Sequence, residues 1–352
     1  MPATFVPDHP PTVAPDQTCV ATAALSTEDA AERARRVGGV ARLYGAAALT
    51  AFERAHIAVI GIGGVGSWVV EALARSAIGR LTLIDLDNIA PSNTNRQIHA
   101  LEGNYGKAKV RAMAERIALI DPQCEVVEIE DFAEPDNFEA LLGGGFDYVV
   151  DAIDSVRTKT ALIAWCVARG QPIVTVGGAG GQLDPTRIRI ADLTQTIQDP
   201  LLSKVRAGLR KNHGFARSPK VKFKVPAVYS DEPLIYPNAP RNPASQGPRP
   251  EAAEGAAALA SAAVDSSADL GADSSADSGD YSTAEVDVEQ APGPVGLNCA
   301  GFGSSVCVTA GFGFAAAAFV LRTLAAQAHA TVAAQDVKTA QDVKTAQAAS
   351  SE

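Results

Sequence analysis

The sequence predicts an α/β fold: a Rossmann-like, doubly wound, mostly parallel sheet with helices on both faces. Three observations predict it. Short apolar runs alternate with segments of helical spacing from His56 to Gly177, the pattern of linked βαβ units. The first run ends in a glycine-rich turn, "GIGGVGS", from Gly61 to Ser67, where sheets of this kind bind nucleotides. The chain has 352 residues, enough for one large domain or two small ones with a substantial core.

Taken in order, "HIAVIGIG" from His56 is a buried strand running into a tight turn. "SWVVEALARSAIG" has helical spacing and stops at Gly79. "LTLID", ending at Asp85, is a second strand, and "GKAKVRAMAERIALIDP" is a helix closed by Pro122. "EVVEIE" is a third strand, "DYVVDAID" a fourth, "TKTALIAWCVARG" a helix and "QPIVTVG" a fifth strand. After Gly177 the alternation stops. "GAGGQLDPTRIRIADLTQTIQDP" reads as strands and turns, followed by a short helix, "LLSKVRAGLRK". From Asn238 to Pro294 the chain is Ala, Ser, Asp, Pro and Gly with almost no large apolar residue. Such composition does not offset the entropy of ordering. The tail repeats "AQDVKTAQDVKTAQ" from Ala334 to Gln347, too few copies for a solenoid.

The formal net charge is −10, yet ten of the forty acids lie between Glu251 and Glu289, where there is no Lys or Arg. The remaining acids and bases balance, so the low pI belongs to one segment and does not oppose a nucleic-acid partner. The five cysteines form no CxxC pair; they fit neither a disulfide framework nor a zinc site, and a reducing cytoplasm is the default expectation. Residues 1–30 have no basic n-region and read as a loose tail, not a signal peptide. Gly296–Leu321 carries no charge and exceeds the length of a spanning helix. Gly and Ala dominate it, so a closely packed core helix is the better reading, with membrane attachment the alternative.

Gly61, Gly63, Gly64 and Gly66 sit between a strand and a helix, where the backbone can approach a phosphate and the helix N-terminus supplies free N–H groups. Asp85 follows Gly66 by 19 positions at the end of the second strand, where an acid can take ribose hydroxyls. These features alone fit NAD as well as a mononucleotide. Asn93, Asn95 and Arg96 follow directly, Lys109 opens the next helix, and Asp154 ends the fourth strand. A hydride-transfer site needs no Arg–Lys clamp. An adenylating site does, because charge builds on the α-phosphate and on departing pyrophosphate, and Mg²⁺ needs a carboxylate. Singly, Arg96 could be a surface ion pair, Lys109 a solvated helix residue and Asp154 a helix cap. At these spacings together, they favour a triphosphate site.

The segments "GIGGVGS", "LIDLDNIAPSNTNRQ", "GKAK" and "DAIDS" resemble the E1-like, ThiF/MoeB-type adenylating enzymes. "ARLYG", "SNTNRQIHAL", "DAIDSVRTK", "VTVGGAGGQLDPTRI", "TIQDPLLSK" and "LIYP" are similar, more specifically, to the tRNA threonylcarbamoyladenosine (t6A) dehydratases within that superfamily. The resemblance covers about Gly38 to Pro237 and resumes near Leu297. It implies an E1-like ATP-binding and adenylation domain over 38–237 and 295–328. Around it lie a flexible N-terminal tail (1–37), a disordered acidic insertion (238–294) and a flexible C-terminal tail (329–352).

The resemblance implies a reaction. The threonyl carboxylate of t6A at tRNA position 37 attacks the α-phosphate of ATP, and the carbamoyl group then closes on the activated carbonyl, expelling AMP. It implies that the glycine loop with Asp85 holds adenosine, with Asp87 a further nucleotide-binding candidate. Asn93, Asn95, Arg96 and Lys109 would hold phosphates, and Asp154, beside Ser155, would hold Mg²⁺. It implies a homodimer in which Arg42 reaches the partner's ATP, although the usual "RYxRQ" is here "RLYGA". Sulfur-relay proteins are implied as protein partners, a monovalent cation is left open, and no zinc is expected. Some relatives carry a cysteine in a crossover loop where "KVPAVYS" stands; the aligned residue, Ala227, excludes a thioester there.

Ser203–Lys224 contains eight Lys or Arg and no acid, which suits an RNA-phosphate surface. Lys204, Arg206, Arg210, Lys211, Lys220, Lys222 and Lys224 are its candidate contacts; the plain alternative is a solvated loop and helix face. Two other functional readings stand beside the dehydratase. Adenylation of a small ubiquitin-like sulfur carrier would want a transfer cysteine or relay partner and no basic segment. A nucleotide-binding scaffold would show no turnover.

Overall fold

The computed structural model describes residues 27–218, 220–236 and 302–349. A seven-stranded sheet has the order β3-β2-β1-β4-β5-β7-β6. Its strands are β1 (His56–Ile60), β2 (Arg80–Ile84), β3 (Glu125–Ile129), β4 (Tyr148–Asp151), β5 (Ile173–Val176), β6 (Ile188–Asp192) and β7 (Pro226–Ser230). All neighbours pair in parallel except β6 with β7. The predicted doubly wound α/β sheet is therefore present, with one antiparallel edge strand.

The helices are α1 (Thr27–Tyr44), α2 (Ala46–Arg54), α3 (Gly66–Ala74), α4 (Lys109–Ile120), α5 (Phe138–Leu142), α6 (Val156–Arg169), α7 (Pro200–Asn212) and α8 (Val306–Ala349). Side-chain alternation on β1 divides the core. Ile57 and Val59 face one cluster with Val69, Leu73, Met113, Phe312 and Val320; Ala58 and Ile60 face another with Leu162, Ile163, Leu202 and Val205. Both faces are covered, which is why these strands read as continuous apolar runs. Chain order reverses between β1 and β4, and Ile60 is in register with both Ile84 and Asp151. Three strand ends thus open at one edge, the switch point where ligands of such sheets bind.

Three expectations change. "KVPAVYS" is not a crossover loop: from Pro226 it is β7, and Ala227 is fully buried between β5 and β6. The chain is already helical at Thr27, inside the expected N-terminal tail. Arg33 anchors it, bonding Glu53 at 3.0 Å and the buried Asp121 at 3.0 Å. The expected C-terminal tail from 329 continues α8 to Ala349. No Gly or Pro follows Gly313, so a helix nucleated in the core has nothing to stop it. Residues 1–26 and the acidic stretch 238–294 lie outside the described residues.

α8 is long and apolar enough to cross a membrane by length and composition, and half of its apolar window is buried in the fold. Its small residues have a packing reason. A Cβ on Gly313 would lie 2.7 Å from the Val65 carbonyl oxygen and the Trp68 Cβ, so only glycine lets α8 pass over the start of α3.

Candidate active site

The carboxyl ends of β1, β2 and β4 form the floor of a cavity of about 580 Å³, within the range of small-molecule sites. It is lined by Gly61, Gly63, Gly64, Asp85, Asp87, Asn93, Arg96, Lys109, Asp154 and Ser155, among others. Ten predicted residues, scattered over nearly a hundred positions, therefore meet. Asn95 does not join them. Its amide donates to the Ser304 carbonyl oxygen (3.1 Å) and Oγ (3.2 Å), tying the loop to the segment before α8. Gly66 also lies outside the lining, inside the first turn of α3.

The glycine loop is shaped by contacts that exclude side chains. Gly61 has φ +87°, and a Cβ there would stand 2.8 Å from the Ala152 carbonyl oxygen. A Cβ on Gly66 would stand 1.8 Å from the Gly61 carbonyl oxygen. Ile62 is pinned on both sides: its N–H donates to Asp85 Oδ2 at 2.6 Å, and its carbonyl oxygen is 2.8 Å from His99 Nε2. Asp85 also accepts the Asp87 N–H at 2.8 Å. Burial raises its pKa, opposed by the Lys109 charge and these backbone donors. Asp85 thus shapes the loop as well as facing the cavity.

The two cations differ. Lys109, the first residue of α4, is buried and held by Asp87 at 2.6 Å, with Asp85 at 3.7 Å. Arg96 Nη1 donates to the Ser92 carbonyl oxygen and Asn95 Oδ1, both at 2.9 Å, and makes no ion pair among the described residues. Its stem lies over Gly64, where a Cβ would be 3.2 Å away. Asn93 Oδ1 accepts the Ala90 N–H at 2.9 Å, which fixes the loop. Ser155, not Asp154, caps α6, its Oγ accepting the Thr158 N–H. Asp154 is exposed, lines the cavity and makes no ion pair among the described residues. It shares the cavity lining with Arg96 and Lys109. No cluster of three or more His, Cys, Asp or Glu that could hold a metal by itself occurs among the described residues.

Sequence reasoning missed what lies beneath. Asp151 and Lys159 form a fully buried ion pair at 2.8 Å. Thr175 Oγ1 donates to Asp151 at 2.7 Å, and Lys159 also reaches that hydroxyl at 3.1 Å. Asp199 caps α7 while accepting the Gly178 N–H at 2.9 Å; burial raises its pKa. In "DAIDS" the sequence reading singled out Asp154 and gave Asp151 no role. The segment after β3, Asp131 to Glu134, also lines the cavity, as the rule that ligands sit at strand ends would have suggested.

Arg42 is exposed at the end of α1 and does not line the cavity. The basic residues lie on α7 and in the segment after it. Lys204, Lys211, Lys220, Lys222 and Lys224 are exposed and unpaired with any acid among the described residues. Arg206 and Arg210 are half-buried: Arg206 donates to Thr196 Oγ1, and the Arg210 guanidinium stacks 5.2 Å from the Phe223 ring centre.

A family model described as the ThiF family matches residues 35–347. The tRNA threonylcarbamoyladenosine dehydratase of Haemophilus influenzae is 57% identical over 203 residues, covering 58% of this chain and 78% of that protein. The one from Escherichia coli is 45% identical over 295 residues, covering 84% and 95%. A crystal structure of an E. coli tRNA N6-threonylcarbamoyladenosine dehydratase in complex with ATP superposes with a TM-score of 0.65 at 42% identity, covering 84% of this chain and 96% of that one. A further one is in complex with AMP.

Proposed function

We proceed from the premise that the chain belongs to the ThiF family, and propose that it catalyses ATP-dependent dehydration of t6A at position 37 of tRNA to cyclic t6A. One observation carries the reading. A glycine loop, an arginine without an acidic partner, a buried lysine and a free aspartate converge on one cavity, in a chain akin along most of its length to t6A dehydratases.

The chemistry follows from the charges. A threonyl carboxylate oxygen bonds to the α-phosphorus of ATP as the α–β bridging bond breaks, and pyrophosphate leaves. The carbamoyl group of the same nucleoside then attacks the activated carbonyl and AMP departs. Negative charge grows on the phosphates in the first step. The planar Arg96 guanidinium can fork two phosphate oxygens, and the N-terminus of α3 adds free N–H groups. Lys109 exchanges Asp87 for phosphate, so its charge is stored in the fold until nucleotide arrives. Asp154 would hold Mg²⁺, which when bound neutralises phosphate charge. Ring closure within one nucleoside needs no enzyme thiol, consistent with Ala227 in a buried strand.

The exposed cations of α7 and Lys220 to Lys224 support a phosphate-tracking surface for tRNA. A homodimer in which Arg42 completes the partner's site is supported by its exposure beside Leu43, which is 77% exposed, and by its absence from its own cavity. Adenylation of a sulfur carrier is not favoured, because the relatives matched over most of their length are named as dehydratases. Pyrophosphate release separates the readings: t6A-bearing tRNA should trigger it, and a ubiquitin-like carrier should not. Release triggered by the carrier alone would overturn the proposal.

A further inference from the structure

Two sequence segments that resembled the dehydratases, "TIQDPLLSK" and "LIYP", play no part in the ATP cavity apart from Leu201. The fold brings them together. Gln198, Asp199, Pro200, Ser203 and Arg206 face Pro233, Leu234 and Tyr236 across a second cavity of about 390 Å³. This cavity adjoins the first through one turn: Pro200 lines the second and Leu201 the first. Asp199, in its wall, also holds the N–H of Gly178, which lines the ATP cavity. The opposite wall is fixed as well. Ile235 donates its N–H to the Gly181 carbonyl oxygen at 2.8 Å, and Glu232 accepts the N–H groups of Leu183 and Asp184 at 3.0 and 2.9 Å.

The lining suits an unstacked base. Tyr236 leans on Phe302, ring centres 5.3 Å apart, yet stays 55% exposed; aromatic faces of this kind receive splayed bases in RNA recognition. Arg206 is half-buried with no acidic partner among the described residues and one hydroxyl partner, Thr196. Gln198, in the lining, holds φ +55°, a conformation that non-glycine residues keep where surrounding structure demands it. The chemistry sets the distance. The reacting carboxylate hangs from the adenine N6 by a four-bond arm, about 5 Å long at ordinary bond lengths. With the carboxylate at the α-phosphate, the base must lie in a compartment next to the ATP cavity.

We propose that this second cavity receives the modified adenine of the substrate, stacked on Tyr236, with Arg206 donating to the carbamoyl oxygen of its arm. The proposal rests on the dehydratase reading. It is tested with the full-length protein, ATP and an anticodon stem-loop RNA carrying t6A. Tyr236→Ala should raise KM for the RNA roughly 5- to 150-fold, the range that loss of one stacked base gives. KM for ATP should stay at the wild-type value, and Tyr236→Phe should restore RNA binding. Arg206→Gln should lower kcat/KM for the RNA in the same way. Wild-type KM for RNA in both Tyr236→Ala and Arg206→Gln, while wild-type protein still forms cyclic t6A, overturns the pocket and leaves the dehydratase reading standing. Equal losses in Tyr236→Ala and Tyr236→Phe, with lower melting temperature and raised KM for ATP, assign Tyr236 a structural role and also overturn it. No product from the wild-type protein overturns both.

Discussion

Asp154 and Asp151 stand three residues apart in "DAIDS" and do opposite jobs. Asp151 is fully buried against Lys159, so removing it would strand a buried charge, a loss that costs about 3–5 kcal/mol. Asp154 is exposed at the cavity and has no such debt. Asp154→Asn should therefore lower ATP–pyrophosphate exchange by about 10²–10³, the scale of losing one electrostatic group at a reacting phosphate, with melting temperature unchanged. Exchange at the wild-type rate would remove Asp154 from the chemistry. His99 gives a stability test beside the same loop. Burial holds its pKa down at about 4, despite the bond to the Ile62 carbonyl, and the Lys109 charge acts in the same sense. The fold therefore favours the neutral ring. Its contribution is present in full above pH 6.5 and is lost as pH falls toward 4, about 2 kcal/mol between pH 7 and pH 5. His99→Gln, which can still donate to Ile62, should flatten that slope in thermal melts; an unchanged slope would show that His99 is not its source. At this scale the sequence displayed the charged residues of the loop. It did not display which of them the fold would occupy: Asn95 goes to Ser304, and Asp85 braces Ile62.

The elements around the nucleotide were legible because each carries its own signal. "HIAVIGIG" is a buried run ending in glycines, and "TKTALIAWCVARG" ends in Gly170, whose φ of +67° closes α6. β7 was not legible, since five residues beginning with proline carry no period of their own, and only pairing with β5 and β6 makes them a strand. The end of α8 was misread for the reverse reason: its repeat has no apolar face in sequence, but it continues a helix whose start is buried in the core. The basic segment after α7 makes a prediction at this level. Lys220, Lys222 and Lys224 are exposed and unpaired with acids among the described residues. Replacing all three with alanine should weaken tRNA binding and flatten the dependence of log K on log salt, by about 0.9 for each duplex phosphate that is no longer neutralised. KM for ATP should not move, because Arg96 and Lys109 line that cavity and these lysines do not. An unaltered salt slope would place the tRNA elsewhere.

The molecule as a whole is one sheet with the first cavity at its switch point, a second cavity alongside and exposed lysines on α7 and in the segment after it. Arg42, exposed and outside the lining of its own cavity, fits a site shared between two copies. Mixing Arg42→Ala with Lys109→Ala protomers, each inactive alone, should restore part of the activity by leaving some cavities with both cations; no recovery in dimers shown to exchange would confine each site to one chain. The arrangement was legible in outline, because the alternation of strands and helices fixes where a doubly wound sheet opens. The second cavity was not, because its walls come from separate segments that are brought together by bonds to a third, among them those at Gly178, Gly181, Leu183 and Asp184. The central claim is that ATP is consumed to remove water from a tRNA nucleoside, and nucleoside mass analysis tests it directly. After t6A-bearing tRNA is incubated with the protein, ATP and Mg²⁺, t6A should be replaced by a nucleoside lighter by one water, with AMP formed in equal amount. A t6A mass that does not change while ATP is cleaved would contradict the account.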